Sequence, residues 1–385
     1  MTSRDRARRA GIAAALAVAP FAAAWRFAHV YRTRAGFPRQ HPPTFDPGAL
    51  GLPFELTTVP TADGLHLPAW WIPARGGQPG PAVVLVHGWE SGRHRTLPNA
   101  QFLHAVGYHV LTFDVRGHGA NPAEQLPVSA GEFGSDALAG VEAALARPEA
   151  TAVAVLGHSM GAVGAILAAA AEPRVAAAVL TATPADPYRL TRQTFRLARL
   201  PIPDPIAYPL AWLTTRVYLK PRRHEVGEVS ATTAIRRYRG PILAIHGTDD
   251  RVVPVAHLER LASACRSSRV ASAAAATDAE VSAPIETLVI PGGQHSWLYE
   301  HPVYREAVAR FLATALDGPL EAETAARIAV AVDARRPADD ERRFAALGER
   351  TFGALEGAGI RARNDLDAAI GSATVVARTP AEVQP

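Results

Sequence analysis

Apolar residues along this chain gather into short, nearly continuous runs. Ala82–Val86, His109–Phe113, Ala152–Leu156, Val175–Leu180, Ile242–Ile245 and Thr287–Ile290 are dominated by Val, Leu, Ile and Ala. A brief apolar run of this kind, bounded by turn residues, predicts a strand covered on both faces, as in a parallel sheet. Two earlier stretches, Leu56–Val59 and Leu65–Ile72, alternate instead, and Ala62-Asp63-Gly64 between them predicts a hairpin. Helical spacing fills the intervals, most clearly over Asp136–Ala146 and Val303–Ala315. A hairpin followed by strand–helix alternation predicts an α/β fold, one mostly parallel central sheet with helices on both faces.

Several stretches interrupt this rhythm. Residues 184–238 are too long for one crossover helix and carry Phe195, Ile206 and Trp212 among several prolines, which predicts a helical cap inserted over the sheet. Residues 266–283 are low in complexity and predict a flexible surface insertion. Pro- and Gly-rich residues 35–55 read as a linker entering the domain. The chain thus divides into an N-terminal segment (1–34), an α/β domain (35–317) and a C-terminal helical appendage with a polar tail (318–385).

The N-terminal segment has its own chemistry. Arg4, Arg6, Arg8 and Arg9 precede an apolar stretch from Ala10 to Trp25, which ends at Arg26. A basic start, a middle broken by Pro20 and a small-residue end at Ala22-Ala23-Ala24 describe a cleaved signal peptide. A membrane anchor wants about 20 apolar residues, which this run approaches if Arg26 snorkels to the interface. Both readings imply export or membrane attachment rather than a soluble cytoplasmic chain.

Composition excludes more than it selects. Hydrophobic residues make up 48% of the 385, enough for a substantial core. The net charge is only +4, and Lys220 is the sole lysine, so the basic residues reflect an arginine-favouring composition and no nucleic-acid partner is expected. A single cysteine, Cys265, allows neither an intrachain disulfide nor a cysteine metal cluster.

Candidate chemistry follows the strand ends. Gly157-His158-Ser159-Met160-Gly161 fits G-x-S-x-G where a strand stops and a helix begins, a turn that would raise Ser159 above the sheet. A serine hydroxyl needs a base and an orienting acid to become a nucleophile. The base candidate is His295, on the Gly-rich loop after the last apolar run. The acid candidates are Asp249 and Asp250, adjacent after Ile242–Ile245, with Asp186 a weaker third; spacing does not choose between the first two. Two backbone N–H groups would hold a developing oxyanion. Met160, following the serine, supplies one, and Trp89 in His87-Gly88-Trp89-Glu90 supplies the other. His118 and His158 read as packing or supporting residues, and the alternative of a metal ligand at His87 lacks a carboxylate or histidine at ligand spacing.

Taken together, His87-Gly88-Trp89, Asp114-Val115-Arg116-Gly117-His118-Gly119, the serine turn, Gly247-Thr248-Asp249-Asp250-Arg251-Val252-Val253-Pro254 and Gly292-Gly293-Gln294-His295-Ser296 resemble the α/β-hydrolase-fold serine hydrolases over about residues 50–315. The subgroup resembled holds esterases, lipases and serine aminopeptidase-like members, some with an N-terminal membrane anchor. The resemblance implies Ser159 as nucleophile, His295 as base and, from the family's G-x-x-D-x-x-V-P register, Asp250 as acid. It implies a small-molecule ester or acyl substrate, attacked through an acyl-enzyme, and no cofactor. A peptidase would instead need an acidic pocket for a substrate amine, for which Glu90, Glu132 and Asp186 are the candidates. A non-catalytic membrane-tethered binding protein is a third class. Gln294 departs from the family's usual glycine.

Overall fold

The computed structural model describes residues 3–275, 283 and 285–334. Among them eight strands form one sheet in the order β1-β2-β4-β3-β5-β6-β7-β8. β1 (Glu55–Pro60) and β2 (His66–Ile72) make the hairpin, and β2 also runs antiparallel to β4 (His109–Phe113). β3 (Gly80–Val86), β5 (Ala150–His158), β6 (Val175–Thr181), β7 (Ile242–Gly247) and β8 (Ile285–Ile290) continue the sheet in parallel pairing, beginning with β4–β3.

Although their sequences look uniformly apolar, these strands keep a period of two. Val83 and Leu85 enter one core with Phe102, Tyr304 and Leu312, whereas Ala82, Val84 and Val86 enter the opposite core with Phe133 and Ile166. Helices α2 (Leu97–Ala105), α9 (Pro302–Ala315) and α10 (Ala322–Ala331) cover the first face. Helices α3 (Ala130–Leu145), α4 (Met160–Ala171), α7 (Ala231–Arg237) and α8 (Ala256–Ala275) cover the second. Burial on both sides is what removed the alternation from the sequence.

Helix α3 starts at Ala130 rather than at Asp136. Ser129 Oγ accepts from the Gly131 N–H at 3.1 Å, and Glu132 Oε2 accepts from the Ser129 N–H at 2.7 Å, a reciprocal cap. Glu132 also binds His224 Nε2 at 2.7 Å. Gly131 and Gly134 hide the helical period, but glycine at this interface lets α3 and α4 approach: a Cβ on Gly164 would lie 2.6 Å from the Phe133 carbonyl oxygen.

The long connection between β6 and β7 carries α5 (Pro187–Leu197), α6 (Asp204–Leu219) and α7. Only α5 and α6 pack on each other away from the sheet; α7 belongs to the layer on the sheet face, against α4 and α8. The low-complexity stretch enters as helix, because α8 runs on to Ala275; residues 276–282 and 284 lie outside the described residues. Of the C-terminal region, α10 packs on α9, and residues 335–385 lie outside. Buried Arg305 of α9 donates to Ala329 O (3.1 Å) and Val330 O (3.1 Å) at the end of α10, and to Tyr299 O (2.6 Å) and Glu300 O (3.0 Å). Ala329 O also accepts from the Val332 N–H, at a long 3.4 Å, so the guanidinium supplements that bond and caps the end of α10.

At the other end, α1 (Ser3–Ala35) is one helix that passes through Pro20 without ending, against the break expected there. Its first turns are exposed, including Ile12, Leu16, Phe21 and Trp25. Its last turns are packed: Ala28 is buried, Phe27 meets Phe195 edge-on at 5.4 Å between ring centroids, and Tyr31 contacts Phe195 and Tyr218. Tyr31 Oη lies 3.1 Å from Thr194 Oγ1, and Tyr218 donates to Ala35 O at 3.2 Å. Helix α1 is therefore exposed at its start and rooted in α5 and α6 at its end.

Candidate active site

The carboxyl ends of β3, β5, β7 and β8 point to one side of the sheet, where open α/β sheets form their binding crevices. Ser159 follows β5 at once, in a backbone conformation that L-residues avoid, with φ +54° and ψ −120°. Such a conformation costs about 1–3 kcal/mol and persists only where the surroundings enforce it. Here they do. A Cβ on Gly157 would lie 2.3 Å from Gly161 O, and one on Gly161 would lie 2.2 Å from Val86 O. Glycine at both positions lets the strand, the turn and α4 share this space.

His295, after β8, brings its Nε2 to 3.0 Å from Ser159 Oγ and its Nδ1 to 2.8 Å from Asp250 Oδ2. An ionised carboxylate only accepts, so Nδ1 carries the hydrogen and Nε2 is left to accept from the serine hydroxyl. Asp250 Oδ1 accepts from the backbone N–H of Val252 (2.9 Å) and Val253 (2.7 Å), which fixes the carboxylate plane. Burial alone would push the Asp250 carboxyl up, but His295 and His246 beside it outweigh burial and hold it well below the usual carboxylate range. Asp249, by contrast, is exposed and its Oδ1 accepts from Thr248 Oγ1 at 2.9 Å. Asp186 is taken by Ser230 Oγ (2.9 Å) and Arg189 Nε (3.2 Å). Of the three acids open in the sequence, Asp250 is the one that meets His295.

The loop after β3 lies against the serine. A Cβ on Gly88 would be 3.4 Å from Ser159 Cβ, and Trp89, the next residue, lines the same cavity as Ser159. Its ring packs edge-on to His118 (5.1 Å) and stacks on Phe133 (6.4 Å). Met160 is the first residue of α4, so its N–H has no helical carbonyl to bind and stands at the positive end of the helix dipole. His87 is a brace: its Nδ1 donates to Gly88 O (2.8 Å) and its Nε2 accepts from the Val115 N–H (3.0 Å). Burial pushes its pKa down, as the accepting nitrogen requires.

Two supports complete the site, and for His158, read from sequence as a packing or supporting residue, the structure gives the partner. His158 donates from Nε2 to the backbone carbonyl of His295 at 2.6 Å, tying the serine turn to the histidine loop. Burial, aided by the charge of His295, presses its pKa to about 4, so it remains a neutral donor. Asp114 pins the loops next to the β3 end, accepting from Arg93 N (2.6 Å), Arg93 Nη1 (2.7 Å) and Ala120 N (2.9 Å). The D-V-R-G-H-G motif was the only signal for the second.

Above Ser159 opens a cavity of about 390 Å³. Its walls come from the sheet ends (Trp89, Met160, Trp297), from α5 and α6 (Leu190, Tyr218) and from α1 (Tyr31). Of the acids considered for an amine pocket, Glu90 lines this cavity; Glu132 is occupied in the α3 cap, and Asp186 starts α5 outside the lining. Among the described residues no group of three or more His, Cys, Asp or Glu side chains is arranged to hold a metal.

Residues 83–311 match the model of the Alpha/beta hydrolase family. An uncharacterized protein of Mycobacterium tuberculosis is 30% identical over 258 residues, 66% of this chain and 77% of that one. The structure resembles an esterase of Pyrococcus furiosus with a TM-score of 0.55 at 24% identity, covering 72% of this chain and 99% of that chain. It also resembles a puromycin-hydrolyzing peptidase of Mycobacterium tuberculosis, with a TM-score of 0.52 at 21% identity, covering 69% of this chain and 39% of that chain.

Proposed function

The chain belongs to the alpha/beta hydrolase family, and from that premise we propose that it is a serine hydrolase of carboxylic esters with apolar acyl groups. The carrying observation is the relay from Ser159 Oγ through His295 to Asp250, at 3.0 and 2.8 Å. Ser159 Oγ attacks the ester carbonyl carbon while its proton passes to His295 Nε2. The carbonyl oxygen, now carrying the negative charge, accepts from the amides of Trp89 and Met160. Collapse of this intermediate breaks the acyl–oxygen bond; the leaving alkoxide takes the proton from His295 and an acyl-enzyme remains. Water then repeats the sequence, with its proton going to His295 and returning to Ser159 as the acid is released. Asp250 stays ionised and stabilises the imidazolium at each half.

The mostly apolar lining supports a hydrophobic acyl group, which gains by leaving water. Glu90 in that lining favours a second reading, cleavage of a peptide with a free amine. The N-terminal helix, long and apolar enough to cross a membrane, reads as a retained anchor rather than a cleaved signal, since it continues unbroken through Ala22–Ala24 into its packed root. A fluorophosphonate probe tests the mechanism: the wild type is labelled and Ser159→Ala is not. Persistent labelling of the variant, or none in folded wild type, overturns the serine-hydrolase reading and leaves the binding-protein class. Turnover of p-nitrophenyl esters without turnover of aminoacyl anilides then separates esterase from peptidase.

A further inference from the structure

The helix that leaves the protein also builds its catalytic cavity. In the exposed half of α1, Ile12 and Phe21 are nine residues apart, which at 100° per residue places them on opposite sides of the helix. Leu16, Val18 and Trp25 are exposed as well. A helix that docks on a protein carries an apolar stripe, whereas one apolar all round is solvated by hydrocarbon. An 18-residue window of mean hydropathy 1.5, none of it buried, lies in the stretch Arg8–Ala35. Arginines at both ends, Arg4 and Arg8 before the apolar part and Arg26 after it, match the headgroup layers.

The root of the same helix then closes the cavity. Tyr31, Arg34 and Ala35 line the space above Ser159. Tyr31 follows Trp25 by six residues, about 9 Å of helix. Helix α6, on which α1 packs, exposes Ile206 and Trp212, and the Arg216 guanidinium covers the Trp212 ring at 4.9 Å, a pairing suited to a membrane interface.

We propose that α1 inserts into a lipid bilayer and holds the cavity within one or two helical turns of its surface, so that the substrate is a lipid ester that passes from the bilayer into the catalytic cavity. The proposal rests on the ester-hydrolase reading and adds the phase from which the substrate comes. The rigid continuity of α1 from membrane to cavity wall is what distinguishes delivery from mere tethering. A flexible tether would keep the enzyme near lipid but would not hold the cavity at the surface.

Full-length protein in phosphatidylcholine vesicles is assayed on water-soluble p-nitrophenyl acetate and on a monoacylglycerol embedded in the same vesicles. Leu16→Arg/Phe21→Arg alters residues that touch no part of the cavity, and charge in the hydrocarbon layer is expected to release the protein from vesicles. Hydrolysis of the soluble ester stays within about twofold of wild type while hydrolysis of the embedded ester falls at least about tenfold. A second variant carries a flexible Gly/Ser spacer of about twelve residues between Trp25 and Arg26, which keeps the anchor and removes the rigid connection. It remains vesicle-bound yet loses embedded-ester turnover. Full turnover of the embedded ester by either variant overturns delivery through α1. Failure of the wild type on the soluble ester overturns the hydrolase reading itself, and this proposal with it.

Discussion

Replacing Asp250 by Asn tests the relay at its buried end. In Asp250→Asn the side-chain carbonyl would keep accepting from the Val252 and Val253 amides, because those two N–H groups demand an acceptor on that side. The new NH2 group is thereby turned toward His295 Nδ1, where the carboxylate oxygen now lies at 2.8 Å. It can only donate, so the imidazole must accept at Nδ1 and carry its hydrogen on Nε2, facing Ser159. That tautomer has no lone pair for the serine proton. The variant also loses the negative charge opposing the transient imidazolium, which at roughly 4 Å and an effective dielectric of about 20 amounts to about 4 kcal/mol. That charge alone corresponds to about three powers of ten in rate, and the tautomer adds to it. The expected fall in kcat is therefore about 10³–10⁴-fold, measured on p-nitrophenyl butyrate with folded enzyme. Asp249→Asn, at an exposed carboxylate, stays within about threefold of wild type. A fall of less than about tenfold for Asp250→Asn, or equal falls for the two variants, would refute the assignment.

Other consequences are equally direct. Gly161→Ala drives a methyl to 2.2 Å from Val86 O and 2.3 Å from His87 O, backbone on both sides, and should lower the urea unfolding free energy by about 3 kcal/mol. His158→Leu removes the donor to His295 O and should cut kcat about tenfold, about 1.4 kcal/mol, with KM little changed in steady-state assays. His257 Nδ1 accepts from the Ala185 N–H at 3.0 Å, and burial lowers its pKa from 6.5 to about 4. Between those values the unfolded chain binds the proton and the folded one does not, so stability falls as pH drops through that window, by about 2 kcal/mol at pH 5. His257→Asn should flatten this dependence in denaturation midpoints measured at pH 7 and pH 5.

The sequence made the sheet readable because strands buried on both faces leave uninterrupted apolar runs. The hairpin was readable for the opposite reason, since β1 keeps its alternation at the sheet edge. Pattern failed where small residues serve packing: Gly131 and Gly134 hid the start of α3, though Ser129 and Glu132 spelled its cap. It failed again at Pro20, whose expected break α1 passes through. At the site, Ser159, His295 and the Trp89 loop each followed an apolar run and were legible from that position. Asp249 and Asp250 were not separable by spacing, because their difference lies in burial and in the amides of Val252 and Val253. The roles of His158 and Tyr31 depend on contacts with residues 137 and 163 positions away, which no local pattern encodes.

Arg305 gives the C-terminal region a meaning beyond decoration. The family match ends at residue 311, and a truncation there would look conservative by descent. Yet it would cut α9 short and delete the α10 carbonyls that this guanidinium serves, leaving a cation inside the protein with half its hydrogen bonds unmade. Inherited homology and cooperative folding thus have different limits in this chain. Any shortened version meant to report on catalysis has to retain the residues through Val330, or its inactivity will report a collapsed scaffold.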